Sequence, residues 1–309
     1  MKRWPSTIST RWRRGNRCTL FRGDCSELLG KLPPNSVDLV LTSPPYCIGK
    51  AYENKTQASD FETDHEAIIP EIIRAVRVGG SVCWQVGYHV TNGVVTPLDF
   101  IVYEIMSRFP EMRLRNRIMW TFGHGLHAAE RFSGRHETLL WFTKGERYEF
   151  NLDDVRVAQK YPGKKHYKGE KKGAYSGNPL GKNPSDVWQG CDVWDIPNVK
   201  AKHVEKTDHP CQFPVGFALR AIKALTKPDD LVLDPFVGSG TTAVAAILAR
   251  RRFVGAEILA KFHKIAIVRA EAAARGHIRF RPAELPVYVP PKNTTLTVRP
   301  RTWNESKKS

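Results

Sequence analysis

No two of the six cysteines (Cys18, Cys25, Cys47, Cys83, Cys191 and Cys211) fall in a C-x-x-C spacing. Neither a zinc nor a disulfide framework is therefore expected, no metal site is assigned, and the thiols read as reduced and cytoplasmic. No apolar run approaches the roughly 18–20 residues of a membrane span, so no membrane partner is expected. There is no solenoid repeat. Acidic residues are the scarcer charge: 31 Asp and Glu stand against 48 Lys and Arg, a net +17 over 309 residues. That imbalance implies an anionic partner, and nucleic acid is the commonest. The excess is clustered. Arg11, Arg13, Arg14, Arg17 and Arg22 form an N-terminal arm, for which an organellar transit peptide is the alternative reading. Lys160, Lys164, Lys165, Lys168, Lys171 and Lys172 form a second block, interleaved with Tyr161, His166, Tyr167 and Tyr175. Basic residues among aromatics and glycines suit an element that lies along phosphates, with a merely solvated loop as the alternative.

Against this background one short motif is informative. Ser43-Pro44-Pro45-Tyr46 follows directly on the apolar run Val37-Asp38-Leu39-Val40-Leu41-Thr42. A buried strand that ends this way sets a hydroxyl, two rigid carbonyls and a ring at one spot. Proline fixes φ and carries no N–H, so the turn offers acceptors, suited to a planar group with an exocyclic amine. One amine hydrogen would go to the Ser43 hydroxyl and one to the Pro44 carbonyl, leaving the nitrogen lone pair free to attack, while Tyr46 would stack on the ring. A proline-punctuated turn is the bland alternative.

The missing third glycine of a G-x-G-x-x-G fingerprint matters for the second motif. Leu231-Val232-Leu233-Asp234-Pro235-Phe236-Val237-Gly238-Ser239-Gly240-Thr241-Thr242 reads as strand, glycine turn and helix start, and the strand Phe253–Ala256 ends at Glu257. Glycines allow a ligand close to the backbone. An acid about 20 residues on, at the end of the next strand, is placed for ribose hydroxyls. Nothing suggests a pyrophosphate.

Together the two motifs resemble the S-adenosylmethionine-dependent amino-methyltransferases of DNA, over about Arg22 to Glu257. Leu41–Tyr46 is similar to the family's catalytic motif and Asp234–Thr242 to its cofactor motif. Catalytic before cofactor is the circularly permuted beta-class order. Gly23-Asp24, Val78–Val82, Arg117–Trp120, Arg135–Lys144 and His209–Pro214 resemble further landmarks in the family's sequence. The resemblance implies an α/β, Rossmann-like fold with a seven-stranded, mostly parallel sheet in which one strand is reversed. In the permuted order Cys18–Phe21 should lie beside the Phe253 strand. It further implies S-adenosylmethionine over the Gly238–Gly240 turn, with Glu257 on its ribose, Asp24 near its adenine, and Asp234 and Phe236 on its methionine side. Pro235, Ser239, Thr241 and Thr242 complete the cofactor set, and Ser43, Pro44, Pro45 and Tyr46 the catalytic set.

The expected segments are a basic arm (1–16), a catalytic part (17–144), a target-recognition insertion (145–206), a cofactor-binding part (207–280) and a basic, Pro-rich tail (281–309). A helix is expected from His65 to Arg77, capped by Thr63 with Glu66 three residues on, and a last long helix over 260–275. Trp188 and Trp194 read as loop anchors against the core, with base reading as the alternative. The expected activity is methyl transfer to the amino group of a base flipped out of double-stranded DNA. In this family Ser at the first motif position usually accompanies cytosine N4, so that base is favoured and adenine N6 stays open. Arg11, Arg13, Arg14, Lys164, Lys165, Lys168, Lys171 and Lys172 are the candidate DNA contacts. A homodimer and a companion restriction endonuclease are further expectations, as is association with the nucleoid while on DNA. Four rivals are weaker. Pro210-Cys211-Gln212 spells the nucleophile tripeptide of cytosine-C5 methyltransferases, but it precedes the glycine turn and leads into a helix. Glutamine methyltransferases of release factors carry Asn-Pro-Pro-Tyr after the cofactor motif. RNA methylation lacks a recognisable module, and a non-catalytic DNA-binding protein would not need both motifs intact.

Overall fold

Val37–Thr42 forms a strand because five of its six residues are buried and its Val and Leu side chains meet apolar neighbours on both sides; such a run suits the middle of a parallel sheet. The computed structural model describes residues 8–47, 57–122, 127–159, 161–188, 196–200 and 203–283. In chain order its elements are β1 (Cys18–Arg22), α1 (Cys25–Leu29), β2 (Val37–Thr42), α2 (Ala58–Ala75), β3 (Val76–Val86), β4 (Tyr88–Thr91), β5 (Val94–Pro97), α3 (Leu98–Ser107), β6 (Met112–Thr121) and β7 (His136–Lys144). There follow α4 (Val215–Leu225), β8 (Leu231–Asp234), α5 (Thr241–Leu248), β9 (Arg252–Glu257) and α6 (Ala260–Ala274).

Seven strands make one sheet in the order β1-β9-β8-β2-β3-β7-β6, with β4 and β5 a separate hairpin. Only β7 is antiparallel to its neighbours. The expected α/β sheet of seven strands with one reversed is thus found. So is the permuted pairing: Cys18 lies opposite Phe253 and Arg22 opposite Glu257. Alternate strand residues feed two cores. Leu39, Leu41, Val232 and Phe253 face α4, α5 and α6, whereas Val40, Leu233 and Val254 face α1, α2 and α3. Trp84, Phe61, Phe142, Phe217 and Phe253 are among the largest fully buried side chains.

One local expectation is corrected. The helix expected at His65 begins at Ala58, because the box forms one turn and a half earlier: the Asp60 carboxylate accepts the Gln57 N–H at 3.3 Å. Thr63 is inside the helix, its hydroxyl donating back to the Ser59 carbonyl at 3.0 Å. The helix ends at Ala75, where β3 begins without a loop. The Val78–Gly80 turn is a bulge within β3, since Val37 pairs Val76 while Leu39 pairs Ser81, and Gly79 takes φ +80°.

The last helix falls at Ala260–Ala274, as the sequence indicated. In the 145–206 stretch, Val187 bridges Met119 on β6, and Trp188 is buried beside Phe217 with ring centres 5.2 Å apart, a loop anchor as expected. Trp194, Cys191, Lys160, residues 1–7 and the tail beyond residue 283 lie outside the described residues. Among the described residues no helix is long and apolar enough to cross a membrane.

Candidate active site

The parallel strands β1, β2, β3, β8 and β9 all end at one edge of the sheet, and ligands of open α/β sheets bind outside that edge. A cleft of about 980 Å³ opens there. Both sequence motifs reach it: Ser43, Pro44, Pro45 and Tyr46 on one side, Pro235, Phe236, Gly238, Ser239 and Thr241 on the other. Asp24 and Glu257 also line it. They are adjacent because β1 and β9 pair to their last residues, after which the Gly23 N–H donates to the Glu257 carbonyl at 3.2 Å.

On the β2 side, the Tyr46 hydroxyl donates to Gln85 Oε1 at 3.1 Å and lies 3.4 Å from the Ser43 hydroxyl. The Gln85 amide in turn donates to the Glu137 carboxylate. Burial, and then the charge of Glu137, raise the Tyr46 pKa well above its ordinary 10.0, so this ring is a neutral phenol at any working pH. Among the described residues the Pro44 carbonyl accepts no backbone hydrogen bond, which leaves it an available acceptor. Cys47 leaves the motif at φ +54°, and its carbonyl meets the buried His89 ring nitrogen Nε2 at 3.1 Å. A non-glycine residue in that region stores about 1–3 kcal/mol of strain, held by this buried contact.

On the β8 side, Asp234 points beneath the turn, and it does not line the cleft. It is buried, and one oxygen accepts both the Thr42 hydroxyl (2.7 Å) and the Phe236 N–H (3.0 Å). Desolvation pushes its pKa up to about 6, against the pull of these bonds. Gly240 and Thr242 are also beneath the surface of the cleft. The two glycines of the turn answer to protein neighbours: both have positive φ, a Cβ on Gly240 would stand 2.8 Å from Ala266, and one on Gly238 would stand 3.0 Å from His209 Nε2. The Glu257 carboxylate accepts the Gly238 N–H at 2.9 Å and the Leu259 N–H at 2.8 Å. Burial raises its pKa, with those two bonds opposing.

Several contributors carry no sequence signal of their own. Gln85 and Glu137 are single polar residues in strand runs. Arg269 on α6 is buried and donates from one nitrogen to the Ser239 carbonyl (2.7 Å), the Ser239 hydroxyl (3.0 Å) and the Thr241 hydroxyl (3.1 Å). Burial lowers its pKa, with the charge of Glu205 opposing. His209 lies against Gly238 with its ring 4.3 Å from that of Phe262, and burial brings its pKa down to about 4; it is a neutral imidazole. His127, Ala128, Arg131 and Gly134, from the connection between β6 and β7, form a further wall, and Asn198, Val199 and Lys200 another.

The basic clusters lie elsewhere. Arg17 pairs with Asp229 at 2.5 Å and the Arg14 carbonyl accepts from Arg252 at 3.3 Å. Asp229 precedes β8 and Arg252 opens β9, so this part of the arm is at the opposite end of the strands from the cleft. The carbonyls of Arg11 and Arg13 accept from Asn16 in the same turn. The second cluster folds back on itself: Lys165 bridges Tyr175, and the His166 N–H donates to the Ala174 carbonyl at 2.9 Å. Lys164, Lys165, Lys168, Lys171 and Lys172 are all exposed on this projection, and none of them lines the cleft. Cys211 does line it, as an exposed thiol.

The sequence profile of a family described as DNA methylase matches residues 37–268, most of the chain. The chain is 45% identical over 266 residues to the type II methyltransferase M.BglII of Bacillus subtilis, covering 85% of this chain and 71% of that one. It is 31% identical over 261 residues to the DNA adenine methyltransferase YhdJ of Escherichia coli K12, covering 83% of each. In fold it is similar to the PvuII DNA methyltransferase, described as cytosine-N4-specific, with a TM-score of 0.63 and 21% identity over 88% of this chain and 89% of that one. The profile match and the extent of these likenesses identify the chain as a member of the DNA methylase family that modifies base amino groups.

Proposed function

We propose that this protein is a site-specific DNA methyltransferase that transfers a methyl group from S-adenosylmethionine to the exocyclic amine of a flipped base, with cytosine N4 favoured. One observation carries the reading: the Ser43–Tyr46 turn and the Gly238–Glu257 cradle face the same cleft. The donor set suits the cofactor. Glu257 presents a carboxylate to ribose hydroxyls, Asp24 one to adenine, and Phe236 an apolar ring beside the glycine turn. Asp234, Gly240 and Thr242 lie beneath the cleft surface and support that turn, which Arg269 also holds. When bound, S-adenosylmethionine supplies a methyl group on a sulfonium sulfur, which leaves as a neutral thioether.

The chain's own residues then have defined tasks. The Ser43 hydroxyl and the Pro44 carbonyl accept the two amine hydrogens, which draws the nitrogen lone pair out of conjugation and directs it at the methyl carbon. With the cofactor bound, the N–C bond would form as the donor's S–C bond breaks, and the methylated amine would then lose one proton. Tyr46, neutral and tethered through Gln85 to Glu137, stacks on the base; stacking is worth about 1–3 kcal/mol, against the few kcal/mol of flipping. Most of the rate enhancement comes from orientation. Residues 145–206 supply target recognition in this reading, and the exposed lysines of 164–172 track phosphates; the arm at Arg14 and Arg17, at the other end of the strands, has no part in holding the duplex at the cleft. A cytoplasmic setting, a homodimer and a companion endonuclease belong to the same proposal.

The test is to incubate the protein with methyl-labelled S-adenosylmethionine and mixed-sequence duplex DNA, then digest to nucleosides. N4-methylcytosine is the expected product. N6-methyladenine would keep the mechanism and move the base, in line with the likeness to YhdJ. Tyr46→Ala should lower the rate about 5- to 100-fold through lost stacking, with cofactor affinity unchanged. Cofactor binding with no label in any DNA overturns the reading.

A further inference from the structure

The described part of the connection between β6 and β7, residues 127–135, stands at the carboxyl edge of the sheet, since β6 runs parallel to β3 and ends at that edge. It contains Arg131-Phe132-Ser133-Gly134-Arg135. This rim is fixed to the body at several points. The Phe122 N–H donates to the Arg135 carbonyl at 2.9 Å, closing the base of the loop. The Ser133 hydroxyl accepts the Ala128 N–H at 3.1 Å. Tyr88, the first residue of β4, fits so tightly beneath the loop that a Cβ on Gly134 would come within 1.6 Å of its hydroxyl. The Arg131 guanidinium stands 5.9 Å from the centre of the same ring, within cation–π range.

Between these fastened residues, Phe132 is fully exposed, with a relative accessibility of 101%. Its neighbours Arg131 and Gly134 line the cleft wall, but Phe132 does not, so the ring stands out from the mouth. A loop held this firmly around one solvated aromatic ring presents that ring to something. The mouth is also where a duplex must lie for one of its bases to reach Tyr46. Proteins that distort DNA insert apolar side chains between base steps, and an emptied stack position is a flat apolar slot of the size of a phenyl ring.

We propose that Phe132 is the wedge that enters the duplex and occupies the stack position vacated by the target base, holding the base outside the helix. Arg131 and Arg135, on either side of it in sequence, bring positive charge to the flanking phosphates. Phe132 is a positioning residue: it touches neither the methyl donor nor the reacting amine. The inference rests on the flipped-base reading above.

The test compares wild-type protein with Phe132→Ala and Phe132→Trp on two duplexes. Each carries the sequence that the wild-type protein methylates, mapped on plasmid DNA recovered from cells expressing it. One duplex is fully paired; the other has an abasic site opposite the target base, so that the base is already unpaired and flipping costs little. Phe132→Ala should lower kcat/KM on the paired duplex about 5- to 100-fold, the range of one lost stacking interaction. On the abasic duplex it should come within about threefold of wild type, and Phe132→Trp should stay near wild type on both. Cofactor affinity and Tm should not move, because the side chain is fully exposed. Equal loss on both duplexes, or no loss on either, overturns the proposal while leaving the methyltransferase reading intact. Wild-type protein that methylates no duplex overturns both.

Discussion

Asp234 is a buried carboxylate whose neighbours are hydroxyls and one backbone N–H, with no opposite charge acting on it among the described residues. Its pKa is pushed from the ordinary 3.8 up to about 6 by burial. The folded protein therefore holds this proton more tightly than the unfolded chain, and between those two values stability falls as pH rises. The difference of about 2 units, at 1.36 kcal/mol each, corresponds to about 3 kcal/mol lost by neutral pH. Asp234→Asn removes the charge with little change of shape. Both recorded bonds, from Thr42 and from Phe236, end on a single oxygen, which the amide carbonyl can replace. The new NH2 group then sits where Thr242, which also bonds the carboxyl, can accept from it. The substitution should leave stability nearly unchanged at about pH 4 and raise it by up to about 3 kcal/mol at about pH 8. Urea unfolding of the two proteins in parallel across that range measures the difference directly. A gap that is flat with pH, or that widens on acidification, refutes the assignment of a strained buried charge. Because Asp234 does not line the cleft, cofactor affinity should stay within about threefold (~0.6 kcal/mol).

Glu257→Gln leaves one carbonyl oxygen for two backbone donors, Gly238 N–H and Leu259 N–H. A hydrogen bond from a ribose hydroxyl to the charged carboxylate is worth about 1.5–3 kcal/mol, so calorimetry should show cofactor affinity weakened about 10- to 100-fold, and an unchanged Kd would count against the cradle. Burial raises the thiol pKa of Cys18 and Cys25 to about 12 and that of Cys83 further, whereas Cys211 is exposed. Among these four, maleimide labelling at neutral pH followed by peptide mapping should therefore find Cys211 first. Cys211→Ala should keep methyl transfer within about threefold; a loss of more than about 100-fold would restore the thiolate chemistry of C5 methylation.

The parts of the site that were legible in the sequence are those whose signal is local. Ser43–Tyr46 and Gly238–Gly240 each follow an apolar run, and a strand followed by such a turn can be read without knowing what it faces. The pairing of Cys18 with Phe253 was legible because the order of the two motifs fixes the topology. Gln85, Glu137 and Arg269 were not. Each is one polar residue in an otherwise regular element, and its role comes from a partner 39, 52 or 30 positions away. Charge was the most deceptive signal. A count of arginines says how strongly a segment attracts an anion, but not which end of the sheet it crosses, and Arg17 is engaged by Asp229 at the end away from the cleft. The start of α2 was misread for a related reason. Thr63 and Glu66 match the Ser/Thr-x-x-Glu pattern, whereas Gln57 and Asp60 do not, yet it is the Asp60 carboxylate that accepts the N–H of Gln57 at the helix start, and Phe61 behind it is buried.

The permuted chain order shows how little the cleft depends on connectivity. Asp24 and Glu257 are 233 positions apart, yet the register of β1 with β9 leaves them side by side once Gly23 has bonded to the Glu257 carbonyl. What a parallel sheet preserves is the set of strand ends at one edge, and a chain may be cut and rejoined anywhere that keeps those ends together. The walls that stand above the edge have no such protection. They come from connections whose length and composition the sheet does not fix: the β4–β5 hairpin after β3, the rim between β6 and β7, and the segment 196–200 that reaches the cleft after Val187 has bridged to β6. The floor therefore carries both motifs, and in the proposed reading differences in the DNA that is recognised arise in those walls and in residues 145–206. An exchange of the 127–135 rim with that of a relative should change the sequence methylated or the ease of base opening, and leave cofactor affinity, which the floor determines, where it was.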